Sequence, residues 1–454
     1  MKKILFFLLL ALPGFSQNFK LPRYEKLVLP NGLTLMLMEQ HEVPVLAVSV
    51  GLPAGAVYDG AQYGLANLTA ESLKFGTKSF PKALLDEKLD FLGAQLSTYA
   101  TLETALLTSS FAVKDQETVW PMIKEVLVNP AFDASEFEKR KSRLLVELKQ
   151  AKQRPSAVLG EYFNHFYYGN QPYGSPADGT PESIGGITLD QVKNFYRTHY
   201  QPNGTVVSVV GDFNTAAMKA KLTTLFKDWK KGTAATQPPA LKAVPSQSRV
   251  LLVNKENATE TQIMIGQKGV PMNNPDYVGI EVVNTVLGAR FTSWLVDELR
   301  VNHGYTYGVR SSFDMKKAGG TFVIRTFTLT KTTIPAIDLA LEVIGRLYTK
   351  GIDEKLLASA KNYVKGQFPP RFETPAQLAS LLTTMFTYGL NDSYINDFQA
   401  KVDALNVDSV KRIIQTYFPK DHFQLVLIGK TAEYREAAKK YGEVSEKQIE
   451  TPGY

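Results

Sequence analysis

The strongest constraint on the fold is that one order of strand and helix signals occurs twice along the chain. The first half opens with two apolar segments around Asn31-Gly32, a dipeptide that favours a tight hairpin turn. Helical periodicity, a hairpin pattern at residues 96–113, further helices and an apolar strand at 206–210 follow. The second half runs through strands, helices, a hairpin, helices and a closing strand at 423–428. The pattern therefore predicts an internal duplication.

Residues 232–248 separate the two halves. This segment contains three prolines and few large apolar side chains, which is typical of an interdomain linker. A chain of 454 residues also exceeds the size at which one hydrophobic core keeps growing. We therefore predict an α+β fold with similar domains at residues 17–231 and 249–454. Each domain should contain a mostly antiparallel sheet covered by helices.

The N-terminus has the pattern of a secretory signal peptide. Lys2 and Lys3 precede a short apolar run at residues 4–12, and Gly14 and Ser16 are the small residues of a cleavage site. The run is too short to span a bilayer, and a buried N-terminal strand is the alternative interpretation. We predict that residues 1–16 are removed and that the protein is exported. The periplasm is the expected compartment, and secretion outside the cell is the alternative.

Composition excludes several classes of function. The chain has 0 Cys, so it can form neither a disulfide framework, nor a thiolate zinc site, nor a catalytic cysteine. Its net charge is +7, but lysines and acidic residues are interspersed, so no nucleic-acid partner is expected. No other apolar run is long enough to span a membrane, so no membrane association is expected after signal cleavage.

One segment carries a recognisable motif frame. Residues 64–77 read GLANLTAESLKFGT. This segment resembles the helix that carries the H-x-x-E-H motif in the pitrilysin/insulinase family of zinc peptidases, within a G-x-A-H-x-x-E-H-x-x-x-x-G-T frame. Gly64, Ala66, Gly76 and Thr77 stand at the frame positions. The similarity includes the bacterial two-domain and processing-peptidase-like members of that family.

The resemblance extends over nearly the whole chain after the signal peptide. Residues 29–57 resemble the opening hairpin and next strand of the family, and residues 172–179 resemble its H-P-Y-G-x-P-x-x-G stretch. Residues 200–213 and 291–313 resemble its Y-x-P-N…V-G-D strand and the signature of its second domain. The resemblance implies metallopeptidase-like halves of the LuxS/insulinase type that form a clam-like chamber.

The catalytic motif itself is degenerate. In the family, two histidines bind zinc, the glutamate before the second histidine activates a water molecule, and a distant glutamate completes the coordination. Asn67, Ala70 and Glu71 occupy the His, Glu and His positions here, while Glu147 stands at about the spacing of the distant ligand. An amide oxygen is a poor zinc ligand and a methyl group cannot act as a base. We therefore predict that this chain binds no cofactor of its own.

Two alternatives were considered for this helix. Asn67 and Glu71 could form a solvated or mutually hydrogen-bonded pair facing a cavity, which is the interpretation we favour. Another histidine could restore a metal site, but no two of the five histidines lie within one helical turn. They are His41, His165, His199, His303 and His422.

A second site of the family is retained. Residues 299–309 read LRVNHGYTYGV, in which Arg300 precedes Tyr307 by seven residues with Gly304 between them. Arg300 is expected in the last turn of a helix, and Gly304 can end that helix with a positive φ. The chain would then reverse into a strand and return Tyr307 to Arg300. The resemblance implies that this pair binds the substrate carbonyl and stabilises the tetrahedral intermediate.

This site has a structural alternative as well. Arg300 could form an ion pair with Asp297 or Glu298, and Tyr307 could belong to the core. Tyr305 could line a pocket, although aromatic side chains in strands usually pack in the core. Residues 93–104 match a family strand that can pair with an extended peptide, but Ser97 replaces the usual Asn. Peptide binding by the first domain therefore stays open.

These observations lead to one principal hypothesis. The chain resembles the non-zinc subunit of a heteromeric metallopeptidase, which is inactive alone and contributes Arg300 and Tyr307 to a zinc-bearing partner that cleaves peptides. Zinc is then expected in the partner. A non-proteolytic scaffold or peptide-binding protein of the same fold is the main alternative. An active metalloenzyme with an unusual site is a third possibility.

Overall fold

The computed structural model describes residues 19–233, 241 and 245–454. The predicted signal peptide at residues 1–16 lies outside these described residues, as does part of the predicted linker at 232–248. None of the helices in the described ranges is long and apolar enough to cross a membrane.

Residues 19–233, the described part of the first half, form six strands and eight α-helices. The strands are β1 (Glu25–Val28), β2 (Thr34–Glu39), β3 (Val45–Leu52), β4 (Gln95–Ala100), β5 (Ala105–Ala112) and β6 (Val206–Gly211). The helices are α1 (Leu65–Ser72), α2 (Lys82–Leu92), α3 (Gln116–Val128), α4 (Ala134–Ala151), α5 (Pro155–Tyr168), α6 (Pro181–Gly186), α7 (Leu189–His199) and α8 (Thr215–Phe226).

The six strands form one sheet in the order β1-β2-β6-β3-β5-β4. Strands β2 and β6 are parallel, with Thr34 opposite Val206, and the other neighbouring pairs are antiparallel. The predicted hairpin at Asn31-Gly32 is confirmed, because it joins β1 to β2. Gly32 has a φ of 88°, and its N–H donates to the carbonyl of Leu29 at 2.8 Å.

The second half repeats this plan with its own strands and helices. The strands are β7 (Arg249–Asn254), β8 (Glu260–Lys268), β9 (Val309–Met315), β10 (Gly320–Leu329), β11 (Gln424–Gly429) and β12 (Glu443–Gln448). The helices are α9 (Tyr277–Asn284), α10 (Trp294–Val296), α11 (Thr333–Thr349), α12 (Glu354–Gln367), α13 (Pro375–Tyr388), α14 (Ser393–Asn396), α15 (Phe398–Ala404), α16 (Val407–Tyr417) and α17 (Arg435–Ala438). Two π-helical segments, Thr285–Ala289 and Asp297–Asn302, extend α9 and α10.

The second sheet has the order β12-β7-β11-β8-β10-β9. Strand β7 is parallel to both β11 and β12, and the remaining pairs are antiparallel. Five strands correspond to five of the first sheet, while the sixth comes from the N-terminal end of the chain in one sheet and from the C-terminal end in the other. The predicted α+β class with two similar, mostly antiparallel sheets is confirmed.

The two halves exchange one helix each. Helix α5 packs on β8 and β11 of the second sheet, and α13 packs on β3 and β6 of the first. A Cβ at Gly266 of β8 would lie 2.3 Å from Cζ of Phe163 on α5. A Cβ at Gly51 of β3 would lie 2.6 Å from Cγ2 of Thr383 on α13. Both glycines stand opposite the first residue of the neighbouring strand, so the duplication extends to the register.

The hydrophobic core follows this exchange. One cluster fills the space between the first sheet and its helices, and a larger one fills the second half. The larger cluster also includes Met36, Met38 and Ala47 from the face of the first sheet that α13 covers. A third cluster joins α5 to the second sheet through Leu159 and Phe163. The halves therefore share buried surface as well as a linker.

Candidate functional site

The degenerate motif lies on α1, whose N-terminus is fixed by a buried carboxyl group. Gly64 precedes the helix with a φ of 89°, and a Cβ there would lie 2.7 Å from Cδ1 of Ile184. The carboxyl group of Asp59 accepts hydrogen bonds from the backbone N–H groups of Gly64 at 2.8 Å and Ala66 at 2.7 Å. Burial raises the pKa of Asp59 to about 8, although these two donors act in the opposite direction.

Asn67 is a structural residue in this site. Its side chain is 7% exposed, its amide Nδ2 donates to Asp178 Oδ1 at 3.0 Å, and its Oδ1 accepts from the backbone N–H of Ala100 at 2.9 Å. These bonds fasten α1 to the edge strand β4 and to the loop before α6. The amide group therefore has a structural use on both its donor and its acceptor side.

Glu71 is held by an arginine that the motif comparison did not identify. Arg140 on α4 donates through Nε to Glu71 Oε2 at 2.7 Å and through Nη2 to Glu71 Oε1 at 2.9 Å. Its Nη1 donates to Glu147 Oε2 at 2.9 Å. Hydrogen bonds to these two carboxylates raise the pKa of Arg140 above its ordinary value. The guanidinium group thus lies between the two glutamates at the second-histidine and distant-ligand positions.

This geometry corrects the interpretation that Asn67 and Glu71 form a solvated or mutually hydrogen-bonded pair. Asn67 is buried, and each of the two side chains has its own partner on another element. Ala70, at the position of the catalytic base, is 1% exposed and packs in the core with no polar group. This face of α1 is therefore packed against the core and hydrogen-bonded to other elements of the protein.

Zinc does not fit this donor set. Zinc sites in proteins use mainly imidazole, thiolate and carboxylate ligands, and here both oxygens of Glu71 and the amide oxygen of Asn67 already accept hydrogen bonds. Within residues 19–233, 241 and 245–454, no group of three or more His, Cys, Asp or Glu side chains is arranged to hold a metal ion.

Arg300 lies in the π-helical segment Asp297–Asn302, which continues α10. The predicted end of this helix is confirmed, because Gly304 has a φ of 60° and the N–H of Tyr305 donates to the carbonyl of Leu299 at 2.8 Å. The Arg300 guanidinium stacks 4.7 Å from the ring centroid of Phe291, which is itself 67% exposed. Helix extensions of the π type are frequent at functional sites.

Tyr307 departs from the expected geometry. Strand β9 begins only at Val309, so Tyr307 lies in the preceding loop and is 85% exposed. It is therefore not a core residue. Among the described residues, no hydrogen bond or ring contact joins Tyr307 to Arg300, so the structure does not bring the two side chains into direct contact.

The ion pair considered for Arg300 does not form with Glu298. That carboxylate instead accepts from Nη1 of Arg346 at 2.5 Å and from the amide of Asn302 at 3.2 Å. Its pKa is lowered chiefly by the hydrogen bond from Arg346. In the part of the chain that the structure describes, Arg300 has no carboxylate partner, and its side chain is partly exposed.

Sequence reasoning missed Arg140 and Asp178, which determine the state of the degenerate site. One signal was available for Arg140. It lies seven residues, about two helical turns, before Glu147, so both side chains project from one face of the same helix. No sequence signal pairs Asp178 with Asn67, since 111 residues separate them.

Comparisons with known proteins agree with this fold. A family model described as "Insulinase (Peptidase family M16)" matches residues 35–180, and one described as "Peptidase M16 inactive domain" matches residues 186–364. The chain belongs to this insulinase family, peptidase family M16.

Relatives of similar length include a protein of Helicobacter pylori named "Non-peptidase homolog YmxG". It is 26% identical over 420 residues, which cover 91% of this chain and 94% of the relative. "Uncharacterized zinc protease YmxG" of Bacillus subtilis is 20% identical over 399 residues, which cover 86% of this chain and 95% of the relative.

Solved structures show the same architecture. The crystal structure of a peptidase M16 inactive domain from Pseudomonas fluorescens has a TM-score of 0.85 and 25% identity, covering 90% of this chain and 98% of that one. A protease from Helicobacter pylori has a TM-score of 0.81 at 20% identity, which supports the fold alone. It covers 90% of this chain and 100% of its own.

Proposed function

We propose that this chain is a non-peptidase member of the insulinase family that works as one subunit of a heteromeric peptidase. The observation that carries the proposal is the state of α1. Ala70 has no proton-accepting group. The side-chain oxygens of Asn67 and Glu71 accept hydrogen bonds from Ala100 and Arg140 within the protein. Peptide hydrolysis therefore requires a metal and a base from another chain, and a zinc-bearing relative would supply both.

The contribution of this chain would come from Arg300 and Tyr307. Arg300 has no carboxylate partner in the described residues, and the Tyr307 side chain is largely exposed. A guanidinium and a phenol can both donate hydrogen bonds to the carbonyl oxygen of a substrate peptide. Those bonds strengthen as the oxygen becomes an oxyanion, so the pair would stabilise the transition state more than the substrate. Contact between the two side chains is not required for this role.

Reconstitution tests the subunit hypothesis. Peptide cleavage is measured for this chain alone, for an H-x-x-E-H-bearing relative from the same organism alone, and for the mixture. We expect no cleavage by this chain and more cleavage by the mixture than by the relative. Tyr307→Phe, which removes only the hydroxyl group, should lower the activity of the mixture, and Tyr363→Phe serves as a control at another exposed tyrosine. Full activity of the relative without this chain would contradict the proposal.

Export is part of the same proposal, since the partner must share its compartment. Its motivation is the pattern of residues 1–16. Cell fractionation and N-terminal sequencing of the native protein test it. We expect a chain that begins at Gln17 in the periplasm or the medium, whereas a cytosolic chain that retains Met1 would contradict export.

A non-proteolytic scaffold or peptide-binding protein is the second candidate function. Strand β4 lies at the edge of its sheet, and the side chains of Gln95, Ser97 and Tyr99 are exposed along it. Such an edge can accept an extended peptide as an added strand. The name of the Helicobacter pylori relative also favours this function. A stable complex with the partner that cleaves no peptide would support it over the first.

A further inference from the structure

The degenerate site already contains a cation of its own. The Arg140 guanidinium bonds both oxygens of Glu71 on α1 and one oxygen of Glu147 on its own helix α4, at 2.7–2.9 Å. The arginine side chain is only 17% exposed. A planar guanidinium that uses its Nε and Nη2 donors on one carboxylate forms a pair of fixed orientation, which a single ammonium charge cannot reproduce.

A third carboxylate belongs to the same cluster. The pKa of Asp178 is raised by burial, and the Arg140 charge acts to lower it while the Glu147 charge acts to raise it. Asp178 is therefore within electrostatic range of both. It also binds Asn67 at 3.0 Å. One largely buried positive charge thus bonds Glu71 and the more exposed Glu147, with Asp178 in electrostatic range. Removing it would leave these acidic side chains uncompensated.

We infer that Arg140 is the built-in cation of this site and takes over the structural role of a metal ion. It joins α1 to α4 through charge-assisted hydrogen bonds, and it neutralises carboxylates that would otherwise repel one another or recruit a divalent cation. The chain therefore keeps this face folded without a metal ion, because Arg140 already pairs with Glu71 and Glu147. The inference concerns this chain alone and needs no partner.

Replacement of the arginine separates this inference from simple packing. Arg140→Met keeps an apolar side chain of similar length but removes the charge and the donors. Breaking a largely buried ion pair leaves uncompensated carboxylates, so we expect the melting temperature in EDTA to fall by about 2–4 °C in a chain of this length. Arg143→Met, at an exposed position of α4 one turn away, should leave it unchanged.

Divalent cations provide the decisive arm of the experiment. Oxygen ligands from carboxylate and amide groups suit Ca²⁺, Mg²⁺ and Mn²⁺. Millimolar CaCl₂, MgCl₂ or MnCl₂ should therefore restore part of the lost melting temperature of Arg140→Met but leave the wild-type value unchanged. Arg140→Lys retains the positive charge but lacks the paired donors of the guanidinium group. Its melting temperature should fall less than that of Arg140→Met and should rise less when the cations are added.

Three outcomes would overturn the inference. They are an Arg140→Met protein as stable as the wild type in EDTA, destabilisation that none of the three cations relieves, and a wild-type protein whose melting temperature rises with these cations or with zinc. If Arg140→Met does not fold, the same comparison is made with Arg140→Lys, for which no loss of melting temperature would contradict the role of the paired donors.

Discussion

At the residue scale, single side chains on α1 determine what the first half can do. Glu71 illustrates this because a carboxylate at this position could serve either as a weak metal ligand or as a partner for an arginine. The structure shows Glu71 as a partner of arginine, because both of its carboxylate oxygens accept hydrogen bonds from Arg140. Asn67 is likewise held by hydrogen bonds, since its amide nitrogen donates to Asp178 and its amide oxygen accepts from Ala100. The chemistry of the site therefore depends on the residues that bond to the motif side chains as much as on the motif itself.

Asp59 gives a prediction about pH. Its pKa rises from 3.8 in the unfolded chain to about 8 in the folded protein, because it is buried at the N-terminus of α1. The folded state then binds more protons than the unfolded state between these pKa values. The contribution of Asp59 to stability is therefore fully present below pH 3.8 and is lost as the pH rises to about 8.

Denaturant unfolding at several pH values checks this prediction against Asp59→Asn, which keeps an acceptor oxygen but cannot ionise. We expect the free energy of unfolding of the wild type to fall relative to that of Asp59→Asn between pH 5 and pH 8. A constant difference across this range would show that Asp59 does not titrate as described.

The sequence identified the positions that lost zinc chemistry but not the residues that replaced it. Asn67, Ala70, Glu71 and Glu147 stand at fixed spacings in a motif, so a comparison of residues finds them. Arg140 and Asp178 come close to the motif residues only when the chain is folded. For Arg300 the helix end at Gly304 was predictable from local backbone preferences. The loop position of Tyr307 was not, since it depends on where β9 starts to pair with β10.

At the element scale, most helices and strands were recognisable because their apolar periodicity is local. The hairpin of β4 and β5 follows the predicted segment at residues 96–113. Helix α5 and strand β12 were not identified. The apolar face of α5 covers the other half of the molecule, and β12 is a short edge strand with mostly exposed side chains. Both depend on contacts between distant parts of the chain.

The helix exchange predicts a specific sensitivity at Gly266. A Cβ there would lie 2.3 Å from Phe163 Cζ on α5, so Gly266→Ala should force the helix or the ring to move. We expect a loss of about 1–3 kcal/mol in the free energy of unfolding, measured with urea. Adding Phe163→Leu should recover part of that loss.

Gly345 is the matched control, because a Cβ at this position in α11 meets no atom within 4 Å. Gly345→Ala should be neutral or stabilising by up to about 1 kcal/mol. If both alanine variants unfold at the same urea concentration, close packing of α5 on the second sheet is not the reason for glycine at 266.

At the scale of the whole molecule, the first and last described segments each contact the opposite half. Leu21 donates its N–H to Asn396 Oδ1 at 2.8 Å, and the Tyr24 hydroxyl donates to Asp392 at 2.6 Å. At the other end, Lys152 donates to the carbonyl of Gly453 at 2.9 Å, and the ring centroids of Tyr162 and Tyr454 lie 5.3 Å apart. These contacts add to the exchanged helices, so the two domains fold against each other.

We therefore expect the halves to depend on each other for folding. Residues 17–231 alone would leave the apolar face of α5 uncovered, and residues 249–454 alone would expose that of α13. Each half expressed separately should lack a cooperative thermal transition, whereas coexpressed halves should associate and unfold in one transition. Calorimetry and size-exclusion chromatography measure this. A sharp transition in either isolated half would contradict it.

A direct test of the proposed subunit role is kcat/KM for peptide cleavage by the mixture of this chain and an H-x-x-E-H-bearing relative, with and without Arg300→Ala. Loss of one oxyanion donor should lower kcat/KM by about 10²–10³-fold. Arg23→Ala, at an exposed position in the N-terminal segment, should leave it unchanged. Size-exclusion chromatography establishes that all variants bind the partner equally. We expect the loss for Arg300→Ala alone, and an unchanged kcat/KM in an intact complex would rule out the role proposed for Arg300.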